Sequence, residues 1–215
     1  MLDSSQSEGA TAVTDVQTAG RGRVGRNWEA PAGSSILVSV LLRPPPERRA
    51  AELTLVAGIA TAIVVERATG LAAQLKWPND VMLDRRKVAG GIAELKDGAV
   101  VLGIGLNINQ GPGDLPTGTK VQAGSLRSVT GREYERAPIL SDLLLELEHR
   151  YDAWRGGGID AIFEDLGARD FLRGRRVTVD GVAGTAQMIT RDGRLVIETE
   201  SGPVVVESGE VLFEG

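Results

Sequence analysis

Cysteine is absent from the 215 residues and histidine occurs once. The first absence removes disulfides, thiolate zinc sites and cysteine nucleophiles. The second removes multi-histidine metal sites and leaves serine–histidine hydrolysis a single candidate, His149. That residue lies within a helical repeat of Ile139, Leu140, Leu143, Leu144, Leu147, Tyr151 and Trp154, so it reads as a structural or surface position. A basic excess is also missing. Lys and Arg total 24 against 29 Asp and Glu, a net charge of −5, which argues against a general nucleic-acid binder, since that would need a basic face. No stretch approaches the ~18 to 20 uncharged apolar residues of a membrane span, and MLDSSQSEG lacks the apolar run of a signal peptide. A cytoplasmic protein is expected. Aromatics are only 4% of the chain, so Trp28, Trp77 and Trp154 are worth placing one by one.

The chain does have a core's worth of Val, Leu, Ile and Ala, within 42% hydrophobic residues. TAVTDVQ at 11–17 alternates and reads as a strand, and SSILVSVLLR at 34–43 as a central one stopped by Pro44, Pro45 and Pro46. Residues 47–69 have helical spacing, with Gly70 as the stop. Strands are expected at 71–77, twice within 81–95 around a turn at Asp84 to Arg86, and at 99–109. A Gly/Pro-rich loop covers 110–125, and helices follow at about 137–155 and 159–167. From Arg175 onward, short strands alternate with Gly181, Gly193, Gly202 and Gly209, the texture of a small barrel. We expect a boundary near Leu172, giving units of 1–171 and 172–215.

The most informative stretch is GRGRVGRNW, residues 20–28, which crowds Arg21, Arg23 and Arg26 among Gly20, Gly22 and Gly25. Guanidinium forks suit carboxylate and phosphate oxygens, and glycines let backbone N–H groups approach an anion. There is no GxxxxGK[ST] sequence, so this is not a P-loop. The GxGxxG order leads into turn-rich sequence and a second strand instead of a helix, which argues against a dinucleotide fingerprint. Three further polar tips stand at strand ends: KWPND at 76–80, RRKVAGG at 85–91 and GLNIN at 105–109. For the asparagines of the last, turn capping stays an open alternative. All four segments suit one cleft.

Together QTAGRGRVGRNW, KWPNDV, RKVAG and GIGLNIN resemble the catalytic core of the biotin protein ligases, over nearly the whole chain from Gln17. The resemblance implies an α/β (α+β) fold: a mixed β-sheet catalytic domain with a small C-terminal SH3-like β-barrel. It implies that biotin's carboxylate attacks the α-phosphorus of ATP, giving biotinyl-5′-AMP and pyrophosphate. A lysine of a biotin carboxyl carrier domain, as in acetyl-CoA carboxylase, then takes the biotin. Two unit charges ~4 Å apart repel by ~4 kcal/mol at an effective dielectric of 20, so fixed cations are needed where the two anions meet.

By position, the resemblance gives Lys87 and Arg23 the catalytic roles, both touching the carboxylate and α-phosphate. Gln17, Arg21, Gly22, Ser4, Ser5 and Gln6 would hold biotin. Arg26, Lys76, Asn79, Asp80 and Asn107 would serve the nucleotide. Trp28 packs under the ligand or the loop, or in the core, and Trp77 in the core. Mg²⁺ is implied by ATP chemistry, with no protein ligands named. The loop should order over bound ligand and shield the anhydride from water. Family members often pair through a sheet edge, so a homodimer is compatible.

The match departs at the start. The family's D-S-T-N segment and helix have as counterpart only Asp3, Ser4, Ser5 and Gln6, with ten residues before Gln17. No room is left for the DNA-binding domain of bifunctional members, so the monofunctional form is expected. The rivals are a lipoate or octanoate ligase or transferase on the same scaffold, a non-catalytic biotin or nucleotide sensor, and an RNA-binding module built on the RGR run.

Overall fold

The computed structural model describes residues 5–25 and 27–214. Among them, strand β1 (Thr11–Thr14) runs antiparallel to β2 (Ser35–Leu42), an almost wholly buried strand with the apolar run of a sheet centre. The chain then crosses through helix α1 (Leu53–Thr69) to β3 (Ala73–Lys76). From there β4 (Asp80–Leu83), β5 (Arg86–Lys96) and β6 (Ala99–Asn107) return as hairpins. The order is β1-β2-β6-β5-β4-β3, antiparallel at each named pairing. Parallel pairing, which the mixed sheet would contain, is confined among the described residues to single bridges, Leu75 with Asp170 and Lys87 with Ala123.

Two-residue turns with both residues at positive φ match the right-handed twist of the strands they join. Asp84 and Arg85 (φ 47° and 61°) join β4 to β5, and Asp97 and Gly98 (49° and 76°) join β5 to β6.

Helix α1 is buried on every side from Leu53 to Val65, because it lies between the sheet and α3 (Arg136–Gly157). It packs close to the sheet at Gly58, where a β-carbon would stand 2.3 Å from Leu75 Cδ1. It stops as expected at Gly70, in the left-handed conformation at φ 74°. It begins at Leu53 and not near 47: Arg49 is extended, and its guanidinium donates to the Asp192 carbonyl instead of lying along a helix. His149 is exposed on α3. Between β6 and α3 lies a short helix not foreseen, α2 (Leu126–Thr130), capped by Ser125, whose hydroxyl accepts from Ser128 N.

Helix α4 (Phe163–Arg169) closes this layer through a chain of charges. Arg67 and Arg150 hold the buried Glu146, and Arg150 also pairs with Asp165. Arg169 then joins Asp165 to Glu66. Burial pushes the Glu146 carboxyl up, but hydrogen bonding and charge from Arg150 and Arg67 outweigh it and leave the group below its ordinary range.

Strands β7 (Arg176–Val179), β8 (Val182–Ile189), β9 (Leu195–Thr199), β10 (Gly202–Val206) and β11 (Val211–Phe213) form an antiparallel sheet in the order β10-β9-β8-β7-β11. This sheet meets the rest of the protein through Phe213, edge-on to Phe171 at 5.0 Å, and through Trp77, whose Nε1 donates to Gly193 O. Trp77, at 1% exposure, is a core residue.

Candidate functional site

Strand alternation divides the larger sheet into two faces. Val38, Val40, Leu102, Ile104 and Leu106 belong to the apolar core shared with α1. The residues between them, Leu37, Ser39, Val101, Gly103 and Gly105, line a cleft of about 460 Å³ with Gly90 and Ile92 of β5. Its floor is nearly bare of side chains, because Gly90 and Gly105 are direct partners across β5 and β6. Trp28 occupies that bare patch. A β-carbon on Gly105 would stand 2.6 Å from the indole Cε2 and Cζ2, and one on Gly90 would stand 3.4 Å from Cζ3. The indole Nε1 is buried and has no hydrogen-bond partner.

The arginine loop forms one wall. It is closed on itself: Trp28 N donates to Gly20 O at 3.0 Å, and Arg21 bridges Asn27 around a 3₁₀ turn at Arg23–Gly25. Gly20 is required there, since a β-carbon would fall 2.2 Å from the Trp28 carbonyl oxygen. Arg21 NH1 pairs with Glu94 at 3.1 Å in an exposed contact, and Arg23 NH1 donates to Asn79 Oδ1 at 3.3 Å.

The KWPND turn forms the facing wall. Thr54 at the start of α1 donates to Pro78 O, and Asn79 Nδ2 donates to Gly91 O at 2.9 Å. Asp80 carries two ammonium groups: Lys87 Nζ lies 2.6 Å from Oδ1 and Lys76 Nζ 3.8 Å from Oδ2. Lys76 is only 4% exposed, and a charge so deeply placed needs such a partner. Lys87 also stands over the Trp28 ring, 5.7 Å from its centroid. Its backbone is bracketed by the returning loop, with Lys87 N donating to Gln122 O and Gly124 N to Lys87 O. That loop reaches the second sheet through Lys120 and Glu210, 2.6 Å apart, and both line the cleft.

The cleft therefore collects Gln17, Arg21, Gly22, Arg23, Lys76, Asn79, Asp80, Lys87 and Asn107. Ser5 and Gln6 are not brought to it. Because β1 runs antiparallel to β2, with Thr11 opposite Val40, the chain before Thr11 passes Leu41 and leads toward the Arg43 end of β2, away from the cleft. There the Gln6 carbonyl accepts from the Arg43 guanidinium. Ser4 and Arg26 lie outside the described residues. Asn107 is 7% exposed and its amide is engaged internally, so the turn-capping alternative describes much of what it does. Gly90, Gly103, Gly105, Ser39 and Ile92 were not foreseen as lining residues. The spacing of GIG within a strand was the available signal, but only the register with β5 turns it into a floor.

For magnesium the donor set is poor. Among the described residues no group of three or more His, Asp or Glu is arranged to hold a metal ion. The carboxylate best placed, Asp80, is already neutralised by two lysines. These residues do not fit a protein-held ion.

Fold and site together define a class: an α/β protein whose antiparallel sheet carries a ligand cleft with a glycine floor and cationic walls. The model of the biotin/lipoate A/B protein ligase family matches residues 1–110, and that of the biotin protein ligase C-terminal domain matches residues 174–213. A Mycobacterium tuberculosis protein named biotin–[acetyl-CoA-carboxylase] ligase is 37% identical over 218 residues, covering 95% of this chain and 79% of that protein. The Bacillus subtilis bifunctional ligase/repressor BirA is 35% identical over 216 residues, and there the chain spans 66% of the relative's length. The biotin protein ligase of Aquifex aeolicus, solved with biotin and ATP, superposes with a TM-score of 0.87 at 29% identity, covering 97% of this chain and 90% of that one. The chain belongs to the biotin/lipoate A/B protein ligase family.

Proposed function

We propose that this protein is an ATP-dependent biotin protein ligase. The observation that carries the reading is that Arg23 and Lys87 line one cleft, on either side of the Asn79–Asp80 turn that each of them touches. A carboxylate oxygen of biotin attacks the α-phosphorus of ATP, the bond to the β-phosphate oxygen breaks, and pyrophosphate leaves. Lys87 and Arg23 neutralise the two approaching anions and the charge developing on the phosphoryl oxygens. The carrier lysine, as free amine, then attacks the acyl carbon, AMP departs and the amine proton is lost to solvent.

In this reading Gln17, Arg21, Gly22 and the glycine floor hold the biotin ring, without Ser5 or Gln6. Lys76, Asn79, Asp80 and Asn107 form the nucleotide side. Magnesium would arrive on the nucleotide's phosphates, which with water commonly supply most of its shell. Residues 1–171 act as the ligase-type unit, and residues 172–215 as a β unit that closes one end of the cleft through Glu210. The protein partner is a carboxyl carrier domain of a carboxylase. Among the described residues no helix is long and apolar enough to cross a membrane, and we place the reaction in the cytoplasm without a nucleic-acid partner.

The test is biotin-dependent exchange of labelled pyrophosphate into ATP, which needs no carrier. Exchange with biotin and not with lipoate or octanoate is the expected result. Exchange with a linear acid alone would move the protein to the other ligases of the family, and none with any acid would leave a binding protein.

A further inference from the structure

The arginine loop leaves the sheet at Asp15, just after β1, and rejoins it at Ser35, the first residue of β2. Between these two stems it carries Gln17, Arg21, Gly22, Arg23, Trp28 and Glu29 into the cleft. The stems are unequally held. On the returning side the Ser34 carbonyl accepts from Ile108 N and Asn109 N, and Ser35 pairs with Asn107 across the sheet. The entering side hangs on β1, an edge strand of four residues, every one of them exposed. Beyond that pairing, Gly33 N donates to Asp15 O at 3.2 Å.

A side chain more than a hundred residues further along the sequence joins the two stems. Arg136 Nη1 donates to Asp15 Oδ1 at 2.6 Å on the entering stem and to the Ser35 carbonyl at 3.1 Å on the returning one. Arg136 is the first residue of α3, a poor place for a cation, because a helix N-terminus carries the positive end of the dipole. The first turn of α3 holds no acidic residue to offset it, and Glu135 at the cap makes no side-chain capping bond. Helix stability therefore does not account for an arginine at this position. The two bonds across the root of the loop do.

We propose that Arg136 is a positioning residue for the arginine loop: by tying Asp15 to Ser35 it keeps the root of the loop closed and lengthens the time the loop spends over a bound molecule. The retention of ligand rests on the ligase reading of the cleft, whereas the tie itself does not. Arg136 is not among the residues that line the cleft. Its substitution removes no wall residue, so any effect on a ligand must pass through the loop.

The experiment compares the full chain with Arg136→Ala, Asp15→Ala and the double variant. Limited trypsin digestion of the ligand-free protein reads opening of the loop as the rate of cleavage after Arg21 and Arg23. Stopped-flow displacement reads the release of biotin. In either single variant both rates should rise by about two- to fivefold, the scale of one exposed ion pair, and the double variant should be no faster than the singles. The melting temperature of Arg136→Ala should change little, since removing a cation from the helix N-terminus offsets the lost tie, whereas a merely structural role would lower it. Should Arg136→Ala fail to fold, Asp15→Ala tests the same contact from the loop side. Unchanged cleavage or release, effects that simply add, or cleavage that rises only in step with a lowered melting temperature would overturn the proposal. Pyrophosphate exchange by the unaltered protein is a separate arm. Its absence counts against the ligase reading and leaves the trypsin readout to decide the tie.

Discussion

The Lys87 ammonium lies 2.6 Å from Asp80 Oδ1, on the turn whose other residue, Asn79, accepts from Arg23. A cation of the cleft is thus held on an internal carboxylate, with ammonium hydrogens left for an incoming anion. Removing it should disable adenylation while sparing the fold, because Lys87 is partly exposed at the rim of β5. Lys87→Ala should lower pyrophosphate exchange by roughly 10²- to 10³-fold, the usual loss for one preorganised charge-stabilising donor, with the melting temperature little changed. Exchange near the normal rate would remove Lys87 from the chemistry.

Arg23 differs, because under the proposed function its loop wall would also shield the intermediate. In Arg23→Gly the adenylate should form but escape, labelling lysines of bystander proteins indiscriminately. A streptavidin blot of a mixture of carrier and unrelated protein checks this. Labelling confined to the carrier would show that Arg23 does not retain the intermediate.

The floor offers a packing test. In Gly105→Ala the new methyl would stand 2.6 Å from the Trp28 indole, so the ring must shift from its place on the floor. Overpacking of this kind costs about 1–3 kcal/mol. The expected outcome is a lower melting temperature with weaker biotin binding by calorimetry. Weaker binding should vanish in Gly105→Ala combined with Trp28→Ala if the indole alone transmits the effect.

Glu146 gives the pH dependence its sign. Its carboxyl is held below the ordinary value when folded, so its contribution is complete above the unfolded value and disappears as pH falls through the folded one. Melting temperature should therefore drop on acidification below about pH 4.5, the unfolded glutamate range. Glu146→Gln should lower the neutral-pH melting temperature and flatten that acid limb. An acid limb equally steep in the variant would assign it to other carboxylates.

Much of this was legible in the residues themselves. The turn at Asp84–Arg85, the Gly70 stop and the clustering of the GRGR and KWPND segments follow from local chemistry that short sequence windows carry. Three things needed the folded chain. The glycine floor depends on strand register, which pairs Gly90 with Gly105. The position of Ser5 and Gln6 depends on β1 running antiparallel, which carries them away from Gln17. The commitment of Asn107 depends on Ser35 and Gly124, remote in sequence and brought together only by β2 and the returning loop. Helix α2 was readable in principle, since Ser125 and Ser128 form a capping box, but its single turn left no periodicity to detect.

The most direct test is a crystal structure with a non-hydrolysable analogue of biotinyl-5′-AMP. The predicted result places the Arg23 guanidinium and the Lys87 ammonium within hydrogen-bond distance of the same bound molecule, at its acyl–phosphate junction, with the fused ring beside the Trp28 indole that covers Gly90 and Gly105. An analogue bound elsewhere, or one touched by Lys87 while Arg23 stays on Asn79 out of reach, would contradict the account.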